Sequence, residues 1–474
     1  MSPHLSEFDC LRSHYRLFLK DCQEIHRILT AIVQPIIMEA SKQKEIFMNI
    51  HDLLNCDIVC TCGKTHRCNI EAIEIGAGAL EKLKLAAKKY EKVLLVADRN
   101  TYPLCGERVK ELIGEKRLAV CFFETTAPLV PDECAIKQIE AHLTTEIDLI
   151  LGIGSGVIND LCKYVSFHHS IGSGIIATAP SMDGYASSGA AMIIGGMKVT
   201  CTTHAPAIII GDTDILKNAP MDMIRAGYGD IIGKYSSLND WKLAHLICGE
   251  HFCRPIYDLV LETTDDIRDS VEGIVTREPF AIEKLMRALV LIGITLTLAE
   301  TTRPGSGSEH HLSHFFEIVG LIHHQKHLPH GTDVAYNTIL TAGMREQICR
   351  LDAPRFCEES ENERVQAWDR IYASVAGEVA QLQKEAGSYQ ADLKPVYLEK
   401  WEKIKEILSE CPSAAECNEM MKAAGLHFSE SETLYGHSKI CNAMLYGKDL
   451  KNRYSVLWLY YVLFSGNKSS VDYR

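Results

Sequence analysis

Between about residues 70 and 212, short apolar runs alternate with amphipathic stretches, and this pattern predicts alternating strands and helices. Buried strands are predicted at 92–97, 118–123, 147–151 and 175–178. Helices are predicted between them, at 102–117, 132–144 and 157–167. Strands joined through helices imply right-handed crossovers and a parallel sheet. A hairpin is predicted to follow, at 190–194 and 199–203.

The pattern changes on either side of this region. Residues 5–55 show helical spacing without a strand signal. From about residue 220 onward the chain is largely helical, with periodic stretches at 277–302, 363–387 and 395–410. We therefore expect an α/β fold in which a parallel-sheet domain precedes an all-helical domain. The expected boundaries are 1–58 for a helical N-terminal extension, 59–215 for the sheet domain and 216–474 for the helical domain.

The composition is that of a globular protein and argues against several classes of function. At 474 residues the chain is too long for one ordinary core, while 46% hydrophobic and 23% charged residues are ordinary proportions. No apolar run reaches the roughly 18 residues that span a bilayer, so no membrane partner is expected. The net charge of -13 argues against nucleic acid as a partner.

The 18 cysteines give information on the cellular compartment and on a possible metal-binding motif. They are scattered, and the polar N-terminus lacks the apolar core of a secretory signal, so we expect reduced thiols in the cytoplasm. Cys60-Thr-Cys62-Gly-Lys-Thr-His66, with Cys56 and Cys68 beside it, resembles a metal knuckle. C-x-C is a poor zinc spacing, however, and the sequence offers no second ligand cluster at a matching distance. A short strand and a tight turn is therefore the favoured interpretation.

A glycine turn, Gly154-Ser-Gly156, follows a predicted strand and precedes a predicted helix. Glycines there would let the backbone approach a pyrophosphate at the helix N-terminus. The G-x-G-x-x-G fingerprint is missing, and the alternative is a tight turn with no ligand. Asp98 ends an earlier strand, where a carboxylate can bind a ribose hydroxyl and repel a 2′-phosphate, which would favour NAD over NADP. The alternative for Asp98 is capping of the following helix.

Three candidate metal ligands lie in the second half of the chain, namely Asp230, His310 and His330. One carboxylate and two imidazoles suit Zn²⁺, Ni²⁺ or Fe²⁺ and leave coordination positions open for a substrate. Each has an alternative, which for Asp230 is an i,i+4 salt bridge with Lys234 on a solvated helix. His310 and His314, four residues apart, could be a structural pair, and His330 before a glycine could simply end a turn.

Two cations near these residues are candidates for binding a substrate phosphate. Lys234 follows Asp230 by four residues and would share its helical face. Arg303 precedes His310 by seven residues. The alternatives are an i,i+4 salt bridge for the lysine and a surface position near a proline turn for the arginine.

Seven motifs in order resemble the iron-containing alcohol dehydrogenase and dehydroquinate synthase superfamily, and within it the bacterial type of sn-glycerol-1-phosphate dehydrogenase. The motifs lie at 73–80, 96–101, 152–156, 178–187, 229–235, 303–310 and 329–331. The similarity runs from about residue 60 to about residue 464. Two departures are the long segment between His310 and His330 and the long N-terminal helical stretch.

The resemblance implies a Rossmann-like nucleotide-binding domain followed by a helical metal-binding domain, with the active site between them, and a homodimer. It implies that one divalent metal, zinc first and nickel or iron next, binds Asp230, His310 and His330. It further implies that NAD or NADP contacts a set of residues from the sheet domain, namely Asp98, Gly154, Ser155, Gly156, Val157, Ile158, Thr178, Ser181 and Ser187.

The implied reaction is hydride transfer between NAD(P)H and dihydroxyacetone phosphate, giving sn-glycerol 1-phosphate. Asp183 and His314 would contact this small-molecule substrate, and Asp230 would lie near it. With Lys234 as a third candidate, Asp183 and His314 are the expected catalytic residues, while Arg303 is expected to bind substrate. The alternatives are a 3-dehydroquinate synthase-like lyase, a polyol or glycerol dehydrogenase, and a catalytically inactive relative that binds a partner.

Overall fold

A six-stranded parallel sheet occupies the first half of the chain. The computed structural model describes residues 50–126, 128–195, 197–326 and 328–466. The strands are β1 Asp57–Val59, β2 Thr65–Arg67, β3 Ala72–Gly76, β4 Val93–Asp98, β5 Leu118–Phe123, β6 Leu149–Gly154, β7 Gly172–Ala177, β8 Gly189–Ile194, β9 Met197–Thr202 and β10 Ile208–Asp212. The sheet has the order β3-β10-β7-β6-β4-β5 with every pair parallel. Two antiparallel hairpins, β1-β2 and β8-β9, stand beside it.

The central strands are buried because helices cover the sheet. All of β6 and all but the last residue of β4 are buried, which explains why both read as continuous apolar runs. The predicted parallel sheet and the hairpin are confirmed. Two strands of the six-stranded sheet were not predicted. Edge strand β3 alternates apolar and polar residues over only five positions, and β10 offers three isoleucines before Gly211.

Helices make up the second half. Those that accompany the sheet are α1 Leu83–Ala86, α2 Tyr102–Ile113, α3 Glu133–Glu140 and α4 Gly156–His169. Those that follow it are α5 Thr213–Leu216, α6 Met221–Ile232, α7 Lys234–Cys248, α8 Arg254–Asp269, α9 Val271–Val275, α10 Pro279–Ala299, α11 Ser308–Ile322, α12 His330–Cys349, α13 Glu361–Tyr372, α14 Ala376–Ala386, α15 Lys394–Glu399, α16 Trp401–Leu408, α17 Ala414–Ala423, α18 Ser429–Tyr446 and α19 Val456–Phe464. Short 3-10 turns lie at Ile50–Leu53, Ala79–Lys82, Glu115–Arg117, Asp183–Ala186, Ala373–Val375 and Gly447–Leu450.

The helical part has its own hydrophobic core, which draws buried side chains from α7, α11, α12, α13, α18 and α19. Two predicted helical stretches are divided. The stretch at 363–387 is broken between α13 and α14, where Ala373 adopts a positive φ of 44°. The stretch at 395–410 is divided into α15 and α16. An α/β fold with a sheet part followed by a helical part is thus confirmed, while the boundary near residue 215 stays a proposal.

The described residues from Leu54 onward form one compact unit. The helices predicted within 5–49 lie outside the described residues, so this prediction stays open. Among the described residues, every helix is too short or too polar to span a bilayer.

Candidate active site

The predicted cofactor residues lie at the carboxyl edge of the sheet. Strands β4 and β6 are neighbours, but the next strand along the chain lies on opposite sides of this pair, β5 beside β4 and β7 beside β6. In open parallel sheets, ligands bind at the carboxyl ends of the strands where the strand order changes direction in this way. Asp98 ends β4, and Gly154 ends β6 in the neighbouring position. Thr178 follows β7, and its backbone N–H donates to the Gly154 carbonyl at 3.0 Å. Three of the predicted residues therefore meet at one edge.

Asp98 also has a structural role, although it is not the helix cap that was weighed as an alternative, because the N-cap residue of α2 is Thr101 and no side chain caps this helix. Its Oδ1 accepts hydrogen bonds from the backbone N–H of Asn100 (2.8 Å) and from the backbone N–H (2.9 Å) and hydroxyl (3.0 Å) of Thr101. This turn leads directly into α2. The carboxylate thus shapes the connection after β4, and a ribose contact would have to use Oδ2.

The glycine turn brings α4 against the sheet. A Cβ on Gly154 would stand 2.6 Å from Cδ1 of Ile158, so the glycine permits direct packing of α4 on β6. Ser155 precedes the helix without a side-chain cap. The first N–H groups of any helix, here those of Gly156 to Ile158, have no acceptor within the helix and favour a negative charge. The turn therefore combines close packing with an anion-binding helix end.

The two predicted serines lie on the segment after β7. The hydroxyl of Ser187 donates to the backbone carbonyls of Gly184 (3.1 Å) and Gly189 (3.3 Å), so it shapes the loop. Ser181 is half-buried, near Tyr185. The segment ends at Asp183, only five residues beyond Thr178. It therefore connects the carboxyl edge of the sheet with the second group of predicted residues.

Asp230 on α6, His310 on α11 and His330 at the start of α12 come together as a candidate metal-ligand set. Each offers one ligand atom, and these atoms all lie within 4.8 Å of one another. Asp230 Oδ1 is 3.6 Å from His310 Nε2, and the rings of His310 and His330 are 5.2 Å apart at their centroids. The Asp230 side chain is fully buried, whereas 31% of the His330 side chain is exposed. The set is therefore reached from the side of His330.

Glycines bring the helices of this set into backbone contact. A Cβ on Gly331 would lie 2.2 Å from the carbonyl oxygen of Ala226, and one on Gly229 would lie 2.9 Å from the carbonyl oxygen of Gly331. No side chain could occupy this space between α6 and α12. The close approach is what places Asp230 within reach of His330.

Glu309 orients one histidine of the set. Its Oε1 lies 2.7 Å from His310 Nδ1 and accepts a hydrogen bond of 2.7 Å from the backbone N–H of Gly307. Burial alone would raise the pKa of Glu309, but the bonds to His310 and Gly307 hold the pKa at about 2. An ionised partner on Nδ1 leaves Nε2 to face Asp230. Carboxylate partners of this kind are usual behind metal-binding histidines.

Lys234 forms ion pairs with two buried carboxylates. Its Nζ donates to Asp183 Oδ2 (2.6 Å), Asp230 Oδ1 (2.9 Å) and the carbonyl of Gly305 (2.9 Å). The backbone N–H of Asp183 donates to Asp230 Oδ2 at 3.0 Å. Burial would raise the pKa of Asp230, but Lys234 and the two histidines lower it to about 2. Burial likewise opposes the charge on Lys234, and the two aspartates reverse that effect and raise its pKa.

The predicted phosphate contacts of Lys234 and Arg303 are not supported by this geometry. An ammonium group has three donors, and those of Lys234 are all engaged by the protein. Arg303 is 2% exposed, donates to Glu250 through Nε at 2.6 Å and through Nη2, and donates to the Tyr454 carbonyl through Nη1 at 2.5 Å. Its burial excludes a surface position. Three of its five N–H donors are bound within the protein, in an ion pair with Glu250 and a hydrogen bond to Tyr454, and its predicted substrate contact stays a prediction.

His314 lies one helical turn beyond His310, beside the metal-ligand set. Its ring centroid is 6.4 Å from that of His310 and 6.1 Å from that of His330. Ligand atoms of His314, Glu317 and His330 also lie within 4.8 Å of one another, so His330 belongs to both groups. Sequence reasoning missed Glu309 and Glu317. Their signal was present, because one adjoins His310 and the other follows it by two helical turns.

Comparisons with known proteins agree with this fold. A family model described as iron-containing alcohol dehydrogenase matches residues 74–220, which include the strands of the six-stranded sheet from β4 to β10. The solved maleylacetate reductase of Rhizobium sp. strain MTP-10005 shares the fold, with a TM-score of 0.54 at 14% identity over 85% of this chain and 98% of that one.

Sequence relatives narrow this class. The chain is 33% identical to the glycerol-1-phosphate dehydrogenase [NAD(P)+] of Bacillus licheniformis over 288 residues, which are 59% of this chain and 72% of that relative. It is also 33% identical over 276 residues to the enzyme of the same name from Geobacillus thermodenitrificans, covering 57% and 68%. The chain belongs to the glycerol-1-phosphate dehydrogenase family.

Proposed function

We propose that this chain is a metal-dependent oxidoreductase that interconverts dihydroxyacetone phosphate and sn-glycerol 1-phosphate with NAD(P)H. The observation that carries the proposal is the metal-ligand set beside Asp183, joined to the carboxyl edge of the sheet by the short segment from Thr178 to Asp183. Relatives that bear the name glycerol-1-phosphate dehydrogenase [NAD(P)+] support the same substrate and cofactor.

Asp230, His310 and His330 would hold one divalent cation. One carboxylate and two imidazoles fit zinc first, and nickel or iron next, and leave coordination positions for substrate oxygens. When bound, such a cation supplies Lewis acidity toward the C2 oxygen of the substrate. Glu309 fixes the His310 ring for this purpose.

Asp183, Lys234 and His314 would act around the substrate. Lys234 is a positioning residue, because it fixes Asp183 and Asp230 and leaves Oδ1 of Asp183 to accept a substrate hydroxyl. The imidazole of His314 would exchange the proton of the C2 hydroxyl, since histidine ordinarily titrates near neutral pH. Its position beside His330 supports this role.

The cofactor would lie along the carboxyl edge of the sheet. Backbone N–H groups from Gly154 to Ile158 would bind the pyrophosphate, and Asp98 Oδ2 would bind a ribose hydroxyl, which favours NAD over NADP. Thr178, Ser181 and Ser187 would line the nicotinamide side. We also propose that the protein is a homodimer and that it is located in the cytoplasm. Light scattering of the purified protein tests whether it is a dimer.

The test is oxidation of NADH and NADPH with dihydroxyacetone phosphate after loading with zinc or nickel, with dihydroxyacetone as the control substrate. We expect turnover that requires the phosphate and yields sn-glycerol 1-phosphate. Asp230→Asn should abolish metal binding and turnover. Asp222→Ala is the matched control, because this aspartate lies on the same helix with 88% of its side chain exposed. Full activity of Asp230→Asn would refute the assignment, and equal turnover of dihydroxyacetone would favour a polyol dehydrogenase.

A further inference from the structure

A separate group of side chains that could hold a metal ion shares no residue with the site described above. Cys60, Cys62 and His66 come from the β1-β2 hairpin, and Cys253 immediately precedes α8. We name these four residues the thiol–histidine cluster. Their ligand atoms all lie within 4.8 Å of one another, although Cys253 is 187 positions from His66 along the chain.

The distances within the thiol–histidine cluster match the edges of a zinc tetrahedron. Zn–S bonds of about 2.3 Å and Zn–N bonds of about 2.0 Å at tetrahedral angles put two sulfurs about 3.8 Å apart and a sulfur and a nitrogen about 3.5 Å apart. The sulfurs of Cys60 and Cys253 are 3.6 Å apart. His66 Nε2 lies 3.3 Å from the sulfur of Cys62 and 3.5 Å from that of Cys253.

The histidine of the cluster is oriented as a ligand. His66 is 2% exposed, and its Nδ1 lies 2.6 Å from the backbone carbonyl of Leu298. A carbonyl can only accept, so Nδ1 carries the proton and Nε2 directs a lone pair at the sulfurs. A backbone carbonyl behind the distal nitrogen is a usual support for metal-binding histidines.

The hairpin needs such a connection. Its two strands have three residues each, and Val59 is 86% exposed, so the hairpin has little apolar surface to bury. Gly63 allows the tight turn that holds Cys60 and Cys62 near each other. Its φ is 87°, and its N–H donates to the Cys60 carbonyl at 3.1 Å. A cation bound to all four side chains would tie this hairpin to the start of α8, while Leu298 holds it to the end of α10.

We propose that the thiol–histidine cluster is a structural zinc site with three thiolates and one imidazole. Four protein ligands fill a tetrahedral shell, so the site has no open position for a substrate. This is a different chemistry from the metal-ligand set, which contains no sulfur. The favoured sequence interpretation of this segment, a strand and turn without metal, left out Cys253, which only the fold brings near.

The test uses the full-length protein loaded with cobalt(II), because thiolate ligands give a charge-transfer absorption that carboxylates and imidazoles do not. We expect this band in the wild-type protein and in Cys56→Ser. Cys56 is an exposed cysteine beside the same hairpin and is the matched control. Cys62→Ser and Cys253→Ser should lose the band and should bind about one zinc fewer per chain.

Two results would overturn the proposal. One is a wild-type cobalt spectrum without a thiolate band, and this readout decides even where the serine variants fail to fold. The other is a Cys60–Cys253 disulfide in freshly isolated protein that contains no zinc at these residues, detected as a crosslinked peptide by mass spectrometry. Zinc content of Cys62→Ser equal to that of Cys56→Ser would also contradict it. None of these measurements depends on the proposed oxidoreductase activity.

Discussion

Replacement of Gly331 by alanine should damage the metal site without touching a ligand. The new Cβ would lie 2.2 Å from the carbonyl oxygen of Ala226 and 2.7 Å from its carbonyl carbon. Both are backbone atoms of α6, so no side-chain rotation can relieve the overlap. Since real Cβ contacts stay above 3.0 Å, α12 has to shift from α6 by about 0.8 Å or more.

The size of the effect follows from this shift. Overpacking of a filled interior costs about 1–3 kcal/mol, and the better helix propensity of alanine offsets about 1 kcal/mol of it. The free energy of unfolding should therefore fall by only about 0–2 kcal/mol. The site should suffer more, because His330 precedes Gly331 and moves relative to Asp230. A misplacement of about 1 Å at a reacting centre can lower the rate by about a hundredfold.

Gly343→Ala is the matched control, because Gly343 lies on the same helix and its nearest neighbour to a new Cβ would be Ala414 Cβ at 4.0 Å. This change should raise the free energy of unfolding by up to about 1 kcal/mol and leave the site intact. The assays are urea unfolding of the metal-free proteins, zinc affinity by chelator competition, and kcat/KM. If Gly331→Ala matches Gly343→Ala in zinc affinity and kcat/KM, the backbone contact does not position the ligands.

Three further changes test the buried charges. Lys234→Met should lower the free energy of unfolding of the metal-free protein by about 3–5 kcal/mol in urea titrations, because two buried carboxylates lose their partner. An unchanged free energy of unfolding would contradict the role of Lys234 as the cation that stabilises Asp183 and Asp230. Glu309→Gln should weaken zinc binding about 10- to 100-fold in chelator competition, because His310 loses an ionised partner; unaltered affinity would deny Glu309 that role. Arg303→Met should lower stability by about 1–3 kcal/mol through the lost pair with Glu250, and KM for dihydroxyacetone phosphate should not change; a selective rise in KM would restore the predicted phosphate contact.

The sheet was predictable because its central strands are buried on both faces. Strand β5 coincides with the predicted 118–123, and the predictions for β4, β6 and β7 overlap the observed strands. The edge strand β3 was missed because half-buried edges need not be apolar on both faces. The break within the predicted helical stretch 363–387 was harder to predict than the strands. It lies at Ala373, which adopts a positive φ that alanine does not favour.

Distances between remote residues were beyond the sequence. Residue types marked Asp230, His310 and His330 as possible ligands, and only the packing of three helices brings their atoms within 4.8 Å. The sequence around Cys253 gave no sign that this residue is a metal ligand, and only the fold brings it to the other residues of the thiol–histidine cluster. Arg303 shows the same limit for charges: a motif can place a cation near a ligand, but it does not say which anion the cation faces.

Helix α6 is held by backbone contacts on both sides, and this arrangement explains how the site keeps its geometry. On one side a Cβ on Gly227 would lie 1.9 Å from the carbonyl oxygen of Pro180, in the segment that runs from the carboxyl edge of the sheet to Asp183. On the other side Gly331 meets Ala226. Asp230 therefore stands between the carboxyl edge of the sheet and α12 at distances that backbone atoms set. Substitutions at these glycines should displace the whole ligand set, whereas substitution of a ligand should remove one donor and leave the others in place.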